Sequence, residues 1–184
     1  IHPVPVKTIH NQLHAVLDDI GVDGVKIGML HSVEVIECVA SALTSFTGFP
    51  IVLDPVMVAT SGDRLIQDDA IAAMKKHLFP LVQLITPNIP ETEVLTSKKI
   101  TNVEQMKEAA TELAKEHQTG VLVKGGHLSD TMVEDILCDG KQLHSYTKPR
   151  LKTKNSHGTG CTLSSAIAAH LALGNEMGVA IEKG

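Results

Sequence analysis

Aromatic side chains are nearly absent from this chain. Among 184 residues there are three phenylalanines (Phe46, Phe49, Phe79), one tyrosine (Tyr146) and no tryptophan. The core must therefore be built from Val, Ile, Leu, Ala and Met, and a nucleic-acid surface of stacked rings among basic residues is excluded. Positive charge is not in excess either. Sixteen Lys and Arg stand against 21 Asp and Glu, a net charge of −5, with no basic stripe of the kind a phosphate backbone requires. Cysteine is scarce: Cys38, Cys138 and Cys161 are odd in number and widely spaced, which is no disulfide framework and fits reduced thiols in the cytoplasm. Apolar runs fall far short of a membrane span, and no charged-then-apolar signal segment opens the chain. Neither nucleic acid nor membrane is an expected partner. Repeats, low-complexity tracts and linkers are missing too, so one domain over 1–184 is expected. The first residue is Ile1 rather than methionine, and the beginning of the native protein is expected to be absent.

What is present alternates. Val6, Ile9, Leu13, Val16, Leu17 and Ile20 recur at helical spacing, and Gly21 stops that helix. "GVKIGML", "PIVLDP", "VQLITPN" and "GVLVKGG" read as short buried strands. Helices are predicted between them: one capped by Ser32 and ending near Gly48, "DDAIAAMKKHLF" ended by Pro80, a short "PETEVL", and one capped by Asn102. "MVEDILC-DG-KQLHSY" reads as a hairpin with Asp139-Gly140 as a tight primed turn. A helix over 159–173 closes the readable pattern. Uniformly apolar strands alternating with helices predict an α/β fold, a mainly parallel sheet covered on both faces with the hairpin at one edge. Ligands of such sheets sit beyond the carboxyl ends of the strands. That rule selects Met29, Asp54, Asn88 with Glu91, Lys124, and the loop opening the last helix.

That loop reads "KTKNSHGTGC". A helix N-terminus leaves N–H groups unpaired and carries partial positive charge, while Gly158 and Gly160 allow the backbone to bend and a phosphate to approach. The stretch matches neither a P-loop, since Cys161-Thr162 stands where Lys-Ser/Thr belongs, nor a dinucleotide fingerprint, since Leu163 replaces the third glycine. Two readings stay open: an anion site, or an N-cap with glycines for packing. Cys161 favours the first. In a helix's first turn the thiol is expected below its free pKa of about 8.5, fit to accept a proton from a hydroxyl beside bound phosphate. Phosphoryl transfer needs that pairing.

"KIGML", "LDPVMVATSGD", "ITPNIPETE", "VLVKGGH" and "NSHGTGC" occur in the order found in hydroxymethylpyrimidine/phosphomethylpyrimidine kinases of thiamine biosynthesis, and the chain resembles that branch of the ribokinase superfamily over nearly its whole length. The resemblance implies a three-layer α/β/α fold and transfer of phosphate from ATP, with Mg²⁺, to 4-amino-5-hydroxymethyl-2-methylpyrimidine and then to its monophosphate. It places the anion hole on Gly158, Thr159, Gly160 and Cys161, with Cys161 as base; the superfamily usually has aspartate there and this branch has cysteine. It puts Asp54, Asn88 and Lys124 with Gly158 and Gly160 on the nucleotide, Glu91 and Asp54 on the metal, and Met29, Val56 and Cys161 on the pyrimidine. It also implies a complete protein that forms a dimer. The family's opening strand with its "AGxDxxGGAGIQAD"-like segment, and its final helices, have no counterpart in this sequence, so the chain is expected to be an internal piece. Pyridoxal kinases of the same superfamily are the nearest alternative, a non-catalytic vitamin- or nucleotide-binding protein is another, and fusion to a thiamine-phosphate synthase remains open.

Each candidate has a plainer reading. Asn88 and Glu91 can be a helix cap with a first-turn acid, and Asp54 a loop cap. Lys124 needs a partner at the end of an apolar strand, either phosphate or a carboxylate. Met29 and Val56 can be packing, and Ala59–Asp63, which resembles a flap near the phosphates, can be a surface turn. His10 and His14 lack carboxylate or cysteine company and read as surface histidines; Lys75-Lys76-His77 reads as a solvated helix end. His157 is expected to orient the glycine loop without taking part in catalysis.

Overall fold

The computed structural model describes residues 3–57, 65–128, 131–151 and 158–184. Four short strands, β1 (Val25–Ile27), β2 (Ile51–Leu53), β3 (Leu84–Ile85) and β4 (Gly120–Val123), lie parallel in sequence order. β5 (Met132–Cys138) and β6 (Leu143–Pro149) extend the sheet antiparallel at one edge. The helices are α1 (Val6–Asp19), α2 (Val33–Thr44), α3 (Asp68–His77), α4 (Ile89–Thr96), α5 (Val103–His117), α6 (Thr159–Ala172) and α7 (Met177–Lys183). The α/β architecture expected from the alternating pattern is the one observed.

Strand side chains divide between two cores. Ile51, Leu53, Ile85, Val121 and Val123 pack with α2, α3 and α5, whereas Val52, Leu84 and Leu122 meet Ile167, Ala168 and Leu171 of α6 and Ala180 and Ile181 of α7. Both faces are buried, so the strands show no polar alternation. Each such side chain contributes about 1.5–3 kcal/mol by leaving water. Local capping fixes where helices begin. Ser32 Oγ accepts from Val35 N at 3.4 Å and Asn102 Oδ1 from Gln105 N at 3.0 Å, while Gly21 follows α1 with φ 76°.

Three expectations need correction. Pro80 does not end α3 directly: that helix stops at His77, and Pro80 lies inside a 3₁₀ turn, Phe79–Leu81. The hairpin turn is displaced. Cys138 pairs with Leu143, and Asp139 N donates to Gln142 O, so Gly140 and Lys141 are the central residues. The reason is the Asp139 carboxylate, whose Oδ1 accepts from Lys141 N at 2.8 Å and Gln142 N at 2.7 Å and holds Asp139 at the turn's first position. Only Gly140 takes positive φ, 89°. Finally, α7 follows the last predicted helix. It buries only Ala180 and Ile181, too few positions for a period to be visible.

His117, at the end of α5, packs edge-on against Phe79 with ring centroids 4.8 Å apart. Its side chain is 9% exposed and Glu116 Oε1 lies 3.5 Å from Nε2, yet that nitrogen has no hydrogen-bond partner among the described residues. Burial lowers its pKa, opposed by Glu116 and reinforced by Lys75. The unfolded chain therefore holds the proton more tightly. His117 contributes stability that is complete above the unfolded value of about 6.5 and is lost as pH falls through the folded value. Melting temperature is expected to decline below that pH, and His117→Leu to flatten this part of the profile. An identical acid limb in the variant would assign the sensitivity to other groups.

Candidate active site

Backbone pairing gathers the strand ends. Asp54 N donates to Ile27 O at 2.9 Å, Thr86 N to Leu53 O at 2.9 Å, and Lys124 N to Pro87 O at 2.9 Å, with Asn88 and Lys124 forming a parallel bridge. Side chains from positions far apart in sequence thus meet in one place. Asp54, 2% exposed, is the hub. Its Oδ1 accepts from Lys124 Nζ at 2.7 Å and Thr86 Oγ1 at 3.3 Å, and its Oδ2 from Ser164 Oγ at 3.4 Å. Removing one partner of so buried an ion pair leaves the other uncompensated, a loss of about 3–5 kcal/mol. Of the two readings of Lys124, the carboxylate partner is present, and the lysine remains partly accessible at 13%.

α6 enters this cluster with its first turn. Gly158 is the N-cap, with φ 81°, and the first intrahelical bond runs from Thr162 N to Gly158 O at 2.9 Å. Helix geometry directs the preceding N–H groups out of that end. A Cβ on Gly160 would stand 3.1 Å from Lys124 Nζ and 3.9 Å from Asp54 Oδ2, so glycine brings the helix end against the cation. Cys161 is exposed, and its carbonyl accepts from Ser164 Oγ at 3.1 Å. Together the helix end, the Lys124 cation and the open thiol offer donors for an anion next to a proton acceptor.

Asn88 and Glu91 form a complete capping box. Asn88 Oδ1 accepts from Glu91 N at 2.9 Å and Glu91 Oε2 from Asn88 N at 2.7 Å, while Glu91 Oε1 accepts from Met57 N at 3.4 Å. Burial pushes the Glu91 carboxyl up to about 7; the Asn88 N–H and the Lys124 charge oppose this, and Asp54 adds to it. Both Glu91 oxygens are engaged, as are both of Asp54, and the described residues contain no group of three His, Cys, Asp or Glu able to enclose a metal. This donor set suits Mg²⁺, which keeps much of its water and takes one or two carboxylates with substrate phosphates, as a cation held mainly by phosphate oxygens. Asp54 and Glu91 would supply the negative charge beside it.

Met29 follows β1 at 37% exposure, and Val56 is half-buried, its N–H donating to Asp54 O at 2.8 Å. Both side chains are apolar, so neither adds a hydrogen bond to the cluster. His10 and His14 stack 4.3 Å apart on α1, and His14 bonds Asp18 at the surface. The flap expected at Ala59–Asp63 and His157 lie outside the described residues. Sequence reasoning missed Thr86 and Ser164, both fully buried. The signal for Ser164 was a lone hydroxyl on the apolar face of α6, one turn past Cys161.

Solved structures set the class. A pyridoxal kinase from Bacillus subtilis, determined as an ADP complex, superposes with a TM-score of 0.90 at 33% identity, covering 99% of this chain and 68% of that one. The fold is that of these ribokinase-like phosphotransferases. The family model for phosphomethylpyrimidine kinase matches residues 1–184, and the chain belongs to that family. Among named relatives, the hydroxymethylpyrimidine/phosphomethylpyrimidine kinase of Bacillus subtilis is 39% identical over 183 residues, which are 99% of this chain and 68% of that protein. The thiamine biosynthesis bifunctional protein ThiED of Geobacter sulfurreducens is 48% identical over 183 residues, spanning all of this chain and 37% of the relative. The chain thus spans about a third of the bifunctional relative and about two thirds of the kinase.

Proposed function

We propose that the protein carrying this chain transfers the γ-phosphoryl group of ATP to the hydroxymethyl group of 4-amino-5-hydroxymethyl-2-methylpyrimidine, and then phosphorylates the monophosphate, in the cytoplasm and as a dimer, with 1–184 lying in a single domain. The observation that carries this is the Lys124–Asp54 pair set 3.1 Å from the Cβ position of Gly160 in the first turn of α6, with exposed Cys161 next in sequence. Gly158, Thr159, Gly160 and Lys124 receive the transferred phosphoryl charge, and Asn88 and Asp54 stand on the nucleotide side. Cys161 takes the hydroxyl proton as the oxygen attacks phosphorus; Met29 and Val56 line the pyrimidine side. Mg²⁺ would neutralise phosphate charge near Glu91 and Asp54. A second reading, pyridoxal as substrate, draws support from the 0.90 superposition on a pyridoxal kinase. ADP release with each acceptor separates them: a higher kcat/KM on pyridoxal would reverse the assignment.

Glu91→Gln keeps, through its one carbonyl oxygen, the bond from Asn88 N that completes the capping box, gives up the longer bond from Met57 N, and removes the charge. The Mg²⁺ concentration for half-maximal rate is expected to rise about tenfold, equivalent to about 1.4 kcal/mol, with metal-free binding of the pyrimidine unchanged in calorimetry. An unaltered Mg²⁺ titration would reduce Glu91 to a helix cap and make Asp54 the better candidate.

A further inference from the structure

We infer that Asp135 of β5 and Arg150, just past β6, clasp the loop leaving β4 and act as positioning residues for Lys124; this rests on the proposed role of Lys124 as a phosphate ligand. Lys124 is followed by Gly125 and Gly126, the two most freely rotating residues a chain can offer. Something outside the loop must fix its path. Asp135 Oδ1 accepts from Gly125 N at 2.8 Å. The Arg150 guanidinium donates Nη1 to Gly126 O at 3.0 Å and Nη2 to Leu128 O, while its backbone N–H donates to Thr131 O at 3.0 Å. A planar fork on two carbonyls fixes direction as well as distance, which a lysine ammonium cannot do. The loop also has no slack towards β5, because a Cβ at Gly125 would stand 1.9 Å from Glu134 O. The hairpin thus sets where the backbone of Lys124 emerges, and Asp54 sets where its ammonium ends.

The test is a double-mutant cycle in the full-length protein, reading kcat/KM for ATP. Arg150→Met and Asp135→Ala are each expected to lose about 10–100-fold, chiefly through KM, as displacements of about 1 Å in a charged contact do. Asp135→Asn, whose amide oxygen still accepts from Gly125, should stay within about threefold of the parent by the same reasoning. In a Lys124→Met background, Arg150→Met should cost less than about twofold more, since the contact it serves is already gone. If Arg150→Met fails to fold, Arg150→Lys enters the same cycle with a smaller loss expected. Full additivity in the Lys124→Met background, or single variants equal to the parent, would overturn the clasp alone. Lys124→Met with undiminished kcat/KM would instead remove Lys124 from the phosphate site, and the clasp with it.

Discussion

Cys161→Ala is expected to lower turnover by about 10²–10⁴-fold, the usual worth of a general acid–base group, with ATP affinity changed by only a few-fold. The thiol is exposed and occupies the third position of α6, after Gly158 as N-cap. Its neighbour Gly160 lies against Lys124, so a phosphoryl group drawn to that cation would stand beside the acceptor of the hydroxyl proton. Alanine keeps the helix and the N–H groups and deletes only the acceptor, which is why binding should survive while rate falls. Cys161→Asp supplies a carboxylate at the same place and should recover part of the loss. A Cys161→Ala enzyme turning over within a factor of two of the parent would remove Cys161 from the chemistry.

The positions of the site were readable from sequence to the extent that they follow from strand ends. Four apolar runs of strand length, three of them followed by a polar residue or a cap, put Asp54, Asn88, Glu91 and Lys124 at the same edge of a parallel sheet without any knowledge of pairing. What local pattern cannot carry is who meets whom. Lys124 and Asp54 are 70 residues apart, and their contact depends on β2, β3 and β4 lying side by side, a property of strand order. The same limit hid Thr86 and Ser164, whose hydroxyls are ordinary until Asp54 lies between them. The hairpin shows a finer limit: Asp-Gly marked a turn correctly, but the carboxylate's hold on two N–H groups moved its centre by one residue. Element existence followed from composition and period; register followed from side-chain hydrogen bonds that period does not encode.

Two adjacent glycines should respond oppositely to the same substitution. A Cβ on Gly125 would meet Glu134 O at 1.9 Å, Glu134 C at 3.0 Å and Met106 Cε at 3.1 Å; on Gly126 nothing lies within 4 Å. Neither residue is among those with positive φ, so the difference is one of space and not of backbone strain. The obstructing atoms at Gly125 are mainly backbone. They belong to β5, whose pairing of Val123 with Ile136 is the last rung before the loop. Relief would require β4 and β5 to part where Gly125 N also bonds Asp135, and Met106, fully buried on α5, closes the other direction. Gly125→Ala is therefore expected to cost about 3–5 kcal/mol, in the range that signals a specific structural fault. Against a total stability of about 5–15 kcal/mol, that loss removes a large share of the margin and should move the denaturation midpoint well below that of the parent. Gly126→Ala should be neutral or stabilise by up to about 1 kcal/mol, because alanine narrows the unfolded ensemble without meeting an obstacle. Denaturant melts of the two variants compared with the parent decide the matter. If Gly125→Ala melts within about 1 kcal/mol of the parent, which is the ordinary scale of a point substitution, β4 does not approach Glu134 this closely. The backbone beside Lys124 would then follow a different path, and the hairpin would lose its hold on the lysine.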